Sequence, residues 1–213
     1  MTPPKSETAF IADGIVDYAM AFLEPNYAKL VPARLQLALY LDSKNQAAQF
    51  FLAQAWANAN QFDQAGEMLS YIDDTSLWAM PSQLLLNDID AQLGNEDAAI
   101  KRFRSYIIRH EYNAHLHKEL GDLYRRHQKY EKARDSYLKA KSYGLNVANL
   151  NRNLAIAHER LNEDSQAEIA FTKALQQNPN DPFTLNYLGY WWAESDRKLD
   201  QAIQLIERAV LLR

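Results

Sequence analysis

The sequence predicts an all-α protein built as a solenoid of six helical hairpins, on three observations. One residue pattern returns every 34 positions, the apolar residues within each copy keep helical spacing, and no period-two alternation of strand length occurs. The copies span residues 12–45, 46–79, 80–113, 114–147, 148–181 and 182–213, behind a leader of residues 1–11. Each copy predicts two helices, about twelve in all.

The first helix of each repeat is marked at its seventh and eighth positions. The seventh reads Tyr18, Leu52, Leu86, Leu120, Leu154 and Leu188, and the eighth reads Ala19, Ala53, Asn87, Gly121, Ala155 and Gly189. A place that accepts only short side chains implies a close helix–helix contact. The turn follows at the fifteenth position, where Asn60, Gly94, Gln128 and Asn162 suit left-handed dihedrals. The second helix carries Val31, Ala65, Ala99, Ala133 and Ala167 at position twenty, with Ala202 completing the series if one residue is inserted within Ser195–Lys198. Four positions on come Leu35, Leu69, Phe103, Tyr137, Phe171 and Ile206, so small residues face large ones across the pair. Asn178-Pro179-Asn180-Asp181-Pro182 is the clearest punctuation, because proline stops one helix and opens the next. Departures fall in the first repeat, interrupted by Pro25 and Pro32, and in the third, where Asp90 replaces an aromatic. One hairpin cannot bury both apolar stripes, so neighbours must stack.

Repeat four reads His117-x-x-Leu120-Gly121-x-x-Tyr124 and then Ala133-x-x-x-Tyr137; repeat five reads Leu154-Ala155-x-x-His158, then Ala167-x-x-x-Phe171 and Pro179; repeat six reads Leu185-x-x-Leu188-Gly189-x-x-Trp192. In these motifs the chain resembles the tetratricopeptide repeat (TPR) proteins, above all the repeat regions of long bacterial ones. The resemblance implies a right-handed α-solenoid whose first helices line a concave groove. It also implies a non-catalytic scaffold that binds a protein or peptide there.

Composition narrows the alternatives. With 47% hydrophobic and 23% charged residues the chain can bury a core, and with no Cys it has neither a disulfide framework nor a thiol nucleophile. The net charge of −4 is uneven: residues 114–147 hold 8 Lys and Arg against 4 Asp and Glu, whereas residues 1–113 hold 8 against 14. An acidic chain disfavours nucleic acid as a partner. No run approaches the roughly 18 apolar residues of a membrane span, and the start carries no export signal. The expected location is therefore the cytoplasm, or the periplasm if the chain is excerpted from an exported longer protein. The sixth repeat stops at Arg213 with no capping helix over Leu188, Trp192, Ile206 and Val210. That edge is expected to pack on further repeats or on a second copy as a homodimer, with Trp192, Leu205 and Val210 otherwise facing water.

No catalytic, cofactor-binding or metal site is expected. His115 and His117 lie two apart on a helix and point away from each other, while His117 and His158 occupy packing positions. Glu96-Asp97 and Glu163-Asp164 open second helices, where carboxylates favour the dipole, and Asp73-Asp74 belongs to a polar linker. The candidate binding residues are those that the resemblance places on the groove: Lys118, Asp122 and Arg125; Asn149, Arg152 and Asn153; and Phe183, Asn186, Tyr187 and Tyr190. This groove is expected to be basic in its middle and aromatic at its C-terminal end, suiting an extended acidic segment or a terminal carboxylate. Lys118 and Asn153 fit the carboxylate-clamp subfamily, but Asp122, Phe183 and Tyr187 do not, so a clamp is not assigned.

Overall fold

The computed structural model describes residues 6–21 and 28–212, and these are almost wholly helical. The helices are α1 (Glu7–Ala21), α2 (Val31–Leu41), α3 (Gln46–Asn58), α4 (Phe62–Ser70), α5 (Ala79–Leu93), α6 (Glu96–Arg109), α7 (Ala114–Arg126), α8 (Tyr130–Ser142), α9 (Ala148–Arg160), α10 (Asp164–Gln177), α11 (Pro182–Glu194) and α12 (Leu199–Leu211). A short 3-10 turn, Ala28–Leu30, precedes α2. Among the described residues no strand forms, and no helix is long and apolar enough to cross a membrane. The protein is an all-α helical-hairpin solenoid.

The chain divides into two compact units between Ala99 and Ile100, inside α6. The first unit holds the hairpins α1/α2 and α3/α4 with α5 packed on them; the second holds α7/α8, α9/α10 and α11/α12. The division falls in the third repeat, whose α5 buries the polar residues Ser82 and Asn87 beside Ala79 and Ile89. α1 begins at Glu7, ahead of Ala12, where the periodic pattern starts.

The turn between paired helices is built the same way each time. Asn60, Gly94, Gln128, Asn162 and Asp196 all have φ between 52° and 71° and stand 34 residues apart. The next residue then donates its N–H to a carbonyl five residues back: Gln61 to Trp56, Asn95 to Asp90, Lys129 to Tyr124, Glu163 to His158, and Arg197 to Trp192, at 2.8–2.9 Å. This six-to-one bond closes the first helix and satisfies a carbonyl that the helix end leaves open. The residue inserted in the sixth repeat is absorbed by a second left-handed residue, Lys198, at φ 47°.

Helix starts are capped by side chains. Asn45, Asn113 and Asp181 each accept from backbone N–H groups in the first turn of α3, α7 and α11, while Val147 makes no such bond for α9. Pro182 is the first residue of α11, and Pro32 stands in the first turn of α2, so Pro32 opens that helix instead of interrupting it. Pro25, the leader's first five residues and Arg213 lie outside the described residues.

Packing follows the small-against-large rule. Ala65, Ala99, Ala133, Ala167 and Ala202 are buried, and Phe103, Tyr137 and Phe171, four positions after Ala99, Ala133 and Ala167, are wholly covered. Burying each such ring contributes about 1.5–3 kcal/mol. A Cβ on Gly121 would lie 2.4 Å from Tyr137 Cε1, and one on Gly189 would lie 2.7 Å from Ile206 Cγ1, so only glycine permits those approaches. Tyr18 departs from its series: the ring is half exposed, with the Arg34 guanidinium 4.7 Å above it.

A polar position also recurs. Gln49 Nε2 donates to the Ser43 carbonyl at 2.9 Å, and His117 Nε2 lies 2.8 Å from the Glu111 carbonyl. Both side chains occupy the fourth place of a repeat and both carbonyls the thirty-second place of the repeat before, so this contact ties consecutive hairpins together. His117 and His158 are both buried, and His158 Nδ1 pairs with Glu163 Oε2.

At the C-terminal end the expected edge is only partly correct. Trp192 is buried among Leu188, Leu205 and their neighbours with the Lys198 ammonium over its ring, and Leu205 is half-buried. Leu199, Ile203, Val210 and Leu211 of α12 are the apolar residues exposed there.

Candidate functional site

The first helices of the three hairpins in the second unit, α7, α9 and α11, carry all the predicted binding residues. Between the N-terminal halves of these helices lies an open depression of about 690 Å³, lined among others by Lys118, Asn149, Arg152 and Phe183. Four of the ten predicted residues therefore meet in one place. Asp122 and Asn153 lie beside it in the side-chain network described below, and Asn186, Tyr187 and Tyr190 lie further along α11.

The charges in the middle of this surface, expected to be basic, are paired with carboxylates. Lys118 Nζ donates to Asp122 Oδ2 at 2.6 Å and to Glu119 Oε1 at 2.8 Å. Burial works against the Lys118 charge, but those two bonds outweigh it and hold the ammonium above its usual pKa. Asp122 Oδ1 accepts from Tyr137 Oη of α8 and from Asn153 Nδ2 of α9, both at 2.7 Å. Burial, then the Asp122 charge, pushes the Tyr137 hydroxyl far up, so it remains a donor. Arg152 Nη1 donates to Asp181 Oδ2 at 2.8 Å and Arg152 Nε to Asn153 Oδ1 at 3.3 Å, while its guanidinium lies 5.7 Å from the Phe183 ring. Lys118, Asp122, Asn153, Arg152 and Asp181 thus form one chain of contacts from α7 through α9 to α11.

Asp181 does two jobs, capping α11 through Phe183 and Thr184 while pairing with Arg152. Burial alone would raise its pKa, but the Thr184 hydroxyl and the Arg152 charge hold it below the usual carboxylate value. Tyr187 stacks on Phe171 at 5.6 Å and donates to Glu159 Oε2 at 3.0 Å, and burial followed by the Glu159 charge pushes its hydroxyl up to about 12. Arg125 interacts with the Tyr137 hydroxyl. Asn149, Phe183 and Tyr190 are exposed.

Sequence reasoning missed Glu119 and Asp181 in the lining. Asp181 was legible only as helix punctuation, and Glu119 carried no periodic signal. His115 is exposed while His117 is buried, so the two rings face opposite ways. Among the described residues no group of three or more His, Asp or Glu side chains is placed to hold a metal ion.

The network and the hairpin turns are those of a helical-repeat protein, and solved structures agree. A MamA crystal structure superposes with a TM-score of 0.60 at 20% identity, over 82% of this chain and 93% of that one. The APC/C hetero-tetramer Cut9–Hcn1 gives 0.68 at 17% identity over 97% of this chain, which spans 43% of the matched chain. YrrB, described as a TPR protein with an unusual peptide-binding site, gives 0.55 at 13% identity over 84% of this chain and 96% of that one. No protein-family model matches the sequence, and no curated protein does. The chain has the TPR fold.

Proposed function

We propose that the face formed by α7, α9 and α11 is a protein-binding surface that takes an extended, acid-bearing segment of a partner, without catalysis or cofactor. One observation carries this reading. α9 is the helix of the three with no side-chain cap at its N-terminus, and its first residues, Ala148 and Asn149, open into the depression between Lys118 and Arg152. Uncapped first-turn N–H groups favour an anion there by about 0.3–1 kcal/mol through the helix dipole, besides the hydrogen bonds they donate. Because Lys118 and Arg152 are already paired, their attraction for the segment is modest, and Asn149 with the α9 amides makes the direct contacts. Phe183 and Tyr190, both exposed, take an apolar side chain of the same segment. The peptide-binding site named for YrrB supports the reading by analogy of fold.

The test is Val147→Asp. Val147 has extended dihedrals, φ −120° and ψ 155°, which suit a capping residue. An aspartate there should cap α9 and raise stability by about 1 kcal/mol while occupying the anion position. Melting temperature should rise while the affinity for a fluorescent acidic peptide falls; a rise in both would refute the reading.

A second reading rests on α12, where Leu199, Ile203 and Val210 form an exposed apolar stripe on one helix face. In it the chain is a structural segment that packs through this stripe on a further repeat or on a second copy. Sedimentation equilibrium of the protein and of Ile203→Lys with Val210→Lys tests packing on a second copy: concentration-dependent association that the double variant abolishes supports it, and a monomer at all concentrations counts against it.

A further inference from the structure

The first compact unit holds a second depression, of about 590 Å³, between α2, α3 and α4, and its floor has the wrong polarity for an empty groove. Gln49 and Gln46 both line it, and in each the amide oxygen is buried without a hydrogen-bond partner. Gln49 is 5% exposed. A buried acceptor left unmade costs about 1–3 kcal/mol.

The orientation of both amides is set by their partners. Gln49 Nε2 donates to the Ser43 carbonyl at 2.9 Å and Gln46 Nε2 donates to Asp73 Oδ2 at 2.6 Å. Turning either amide over would aim an oxygen at an oxygen, so the unpaired atoms are acceptors and not donors. Asp73 also lines the depression and adds a carboxylate. Leu39, Met68 and Tyr71 supply apolar walls, and Lys44 at the rim is the one cation of the lining.

The last repeat lacks this polar floor. At the equivalent place in the last repeat a depression of about 340 Å³ lies between α10, α11 and α12, with Leu175 standing for Leu39, Leu205 for Met68 and Leu185 for Gln49. The groove recurs in both, whereas the buried acceptor of Gln49 has no counterpart at Leu185.

We propose that this depression binds the guanidinium of an arginine on a partner polypeptide. Three acceptors, with both amide nitrogens already donating, call for a guest that only donates, and guanidinium offers five N–H groups and no acceptor. The Leu39, Met68 and Tyr71 walls receive the aliphatic stem. The volume exceeds one guanidinium with its stem, so the flanking residues of a polypeptide fill the remainder.

The experiment is an NMR titration of the whole protein with three capped alanine pentapeptides carrying a central arginine, citrulline or lysine, read at the Gln46 and Gln49 side-chain amides and the Met68 methyl. Citrulline keeps the shape but replaces a donor by an acceptor. The arginine peptide should give saturable shifts at all three groups, the citrulline peptide should bind at least roughly tenfold more weakly, and lysine should fall between. Gln49→Leu, which installs the residue found at position 185, and the surface change Asp73→Asn should each weaken the arginine peptide by a similar factor. Free agmatine measures the source: binding at least as weak as that of the lysine peptide supports a polypeptide guest, and binding as tight as the arginine peptide overturns it. The proposal is also overturned if arginine and citrulline peptides bind alike, if no saturable shift appears, or if both variants bind as the parent does.

Discussion

Asn153 of α9 donates a 2.7 Å hydrogen bond to Asp122 of α7, and that one carboxylate oxygen also receives the Tyr137 hydroxyl. A single side chain therefore joins both helices of one hairpin to the first helix of the next. Asp122→Ala leaves the Tyr137 hydroxyl and the Asn153 amide without this acceptor and removes one of the two carboxylates that hold the Lys118 ammonium, all in a largely buried setting. The expected loss is about 2–4 kcal/mol, read as a fall in denaturation midpoint, with Asp122→Asn losing less.

Glycine substitutions separate packing from backbone entropy. Gly121→Ala would drive a methyl into the Tyr137 ring, whose atoms lie 2.4–3.0 Å from the added Cβ, whereas Gly66 in α4 has nothing within 4 Å. Gly121→Ala should destabilise by about 1–3 kcal/mol, and Gly66→Ala should stabilise by about 0.5–1 kcal/mol. Thermal melts of the two variants should move in opposite directions.

Ala133 is wholly buried at the small-residue contact of α7 with α8, and its neighbour Lys132 is exposed. Ala133→Asp should cost several kcal/mol, on the order of 3–5, through an unpaired buried charge, and Lys132→Asp should cost within about 0.5 kcal/mol. Urea denaturation of both checks the register of the whole repeat.

His117 makes the second unit sensitive to acid. Burial, aided by the Lys139 charge, holds its pKa below the ordinary 6.5, against the pull of the Glu111 carbonyl and carboxylate, while Tyr143 packs on its ring at 5.3 Å. The folded state therefore favours the neutral ring. Its contribution is present above pH 6.5 and is lost as pH falls through the lowered folded value. His117→Gln should show a smaller drop in melting temperature between about pH 7.5 and pH 5 than the parent protein.

Much of the architecture was open to a reader of the chain, for reasons visible in particular residues. The left-handed turns at Asn60, Gly94, Gln128 and Asn162, the glycines at 121 and 189 and the alanines at 65, 133 and 167 each answer a local steric demand, and local demands repeat with the period. The pairing of the candidate site did not follow from that period. Asp122 reaches Asn153 across 31 residues, and Arg152 reaches Asp181 and Arg134 reaches Glu163 across 29, separations set by how consecutive hairpins stack. Comparing charges 29–31 positions apart, instead of 34, would have shown that Arg152 already has a partner. Trp192 misled for a related reason: its series marks a packing position, but the Lys198 ammonium that lies over its ring belongs to the inserted residue's turn.

The most direct test of the binding surface is an amide NMR titration of the whole protein with a capped hexapeptide of alternating glutamate and leucine, repeated on Val147→Asp. The account predicts saturable shifts centred on the Ala148, Asn149 and Leu150 amides and on the Lys118 and Arg152 side chains, lost in the variant although its fold is more stable. Shifts confined to other helices, or shifts at α9 that survive Val147→Asp unchanged, would contradict it.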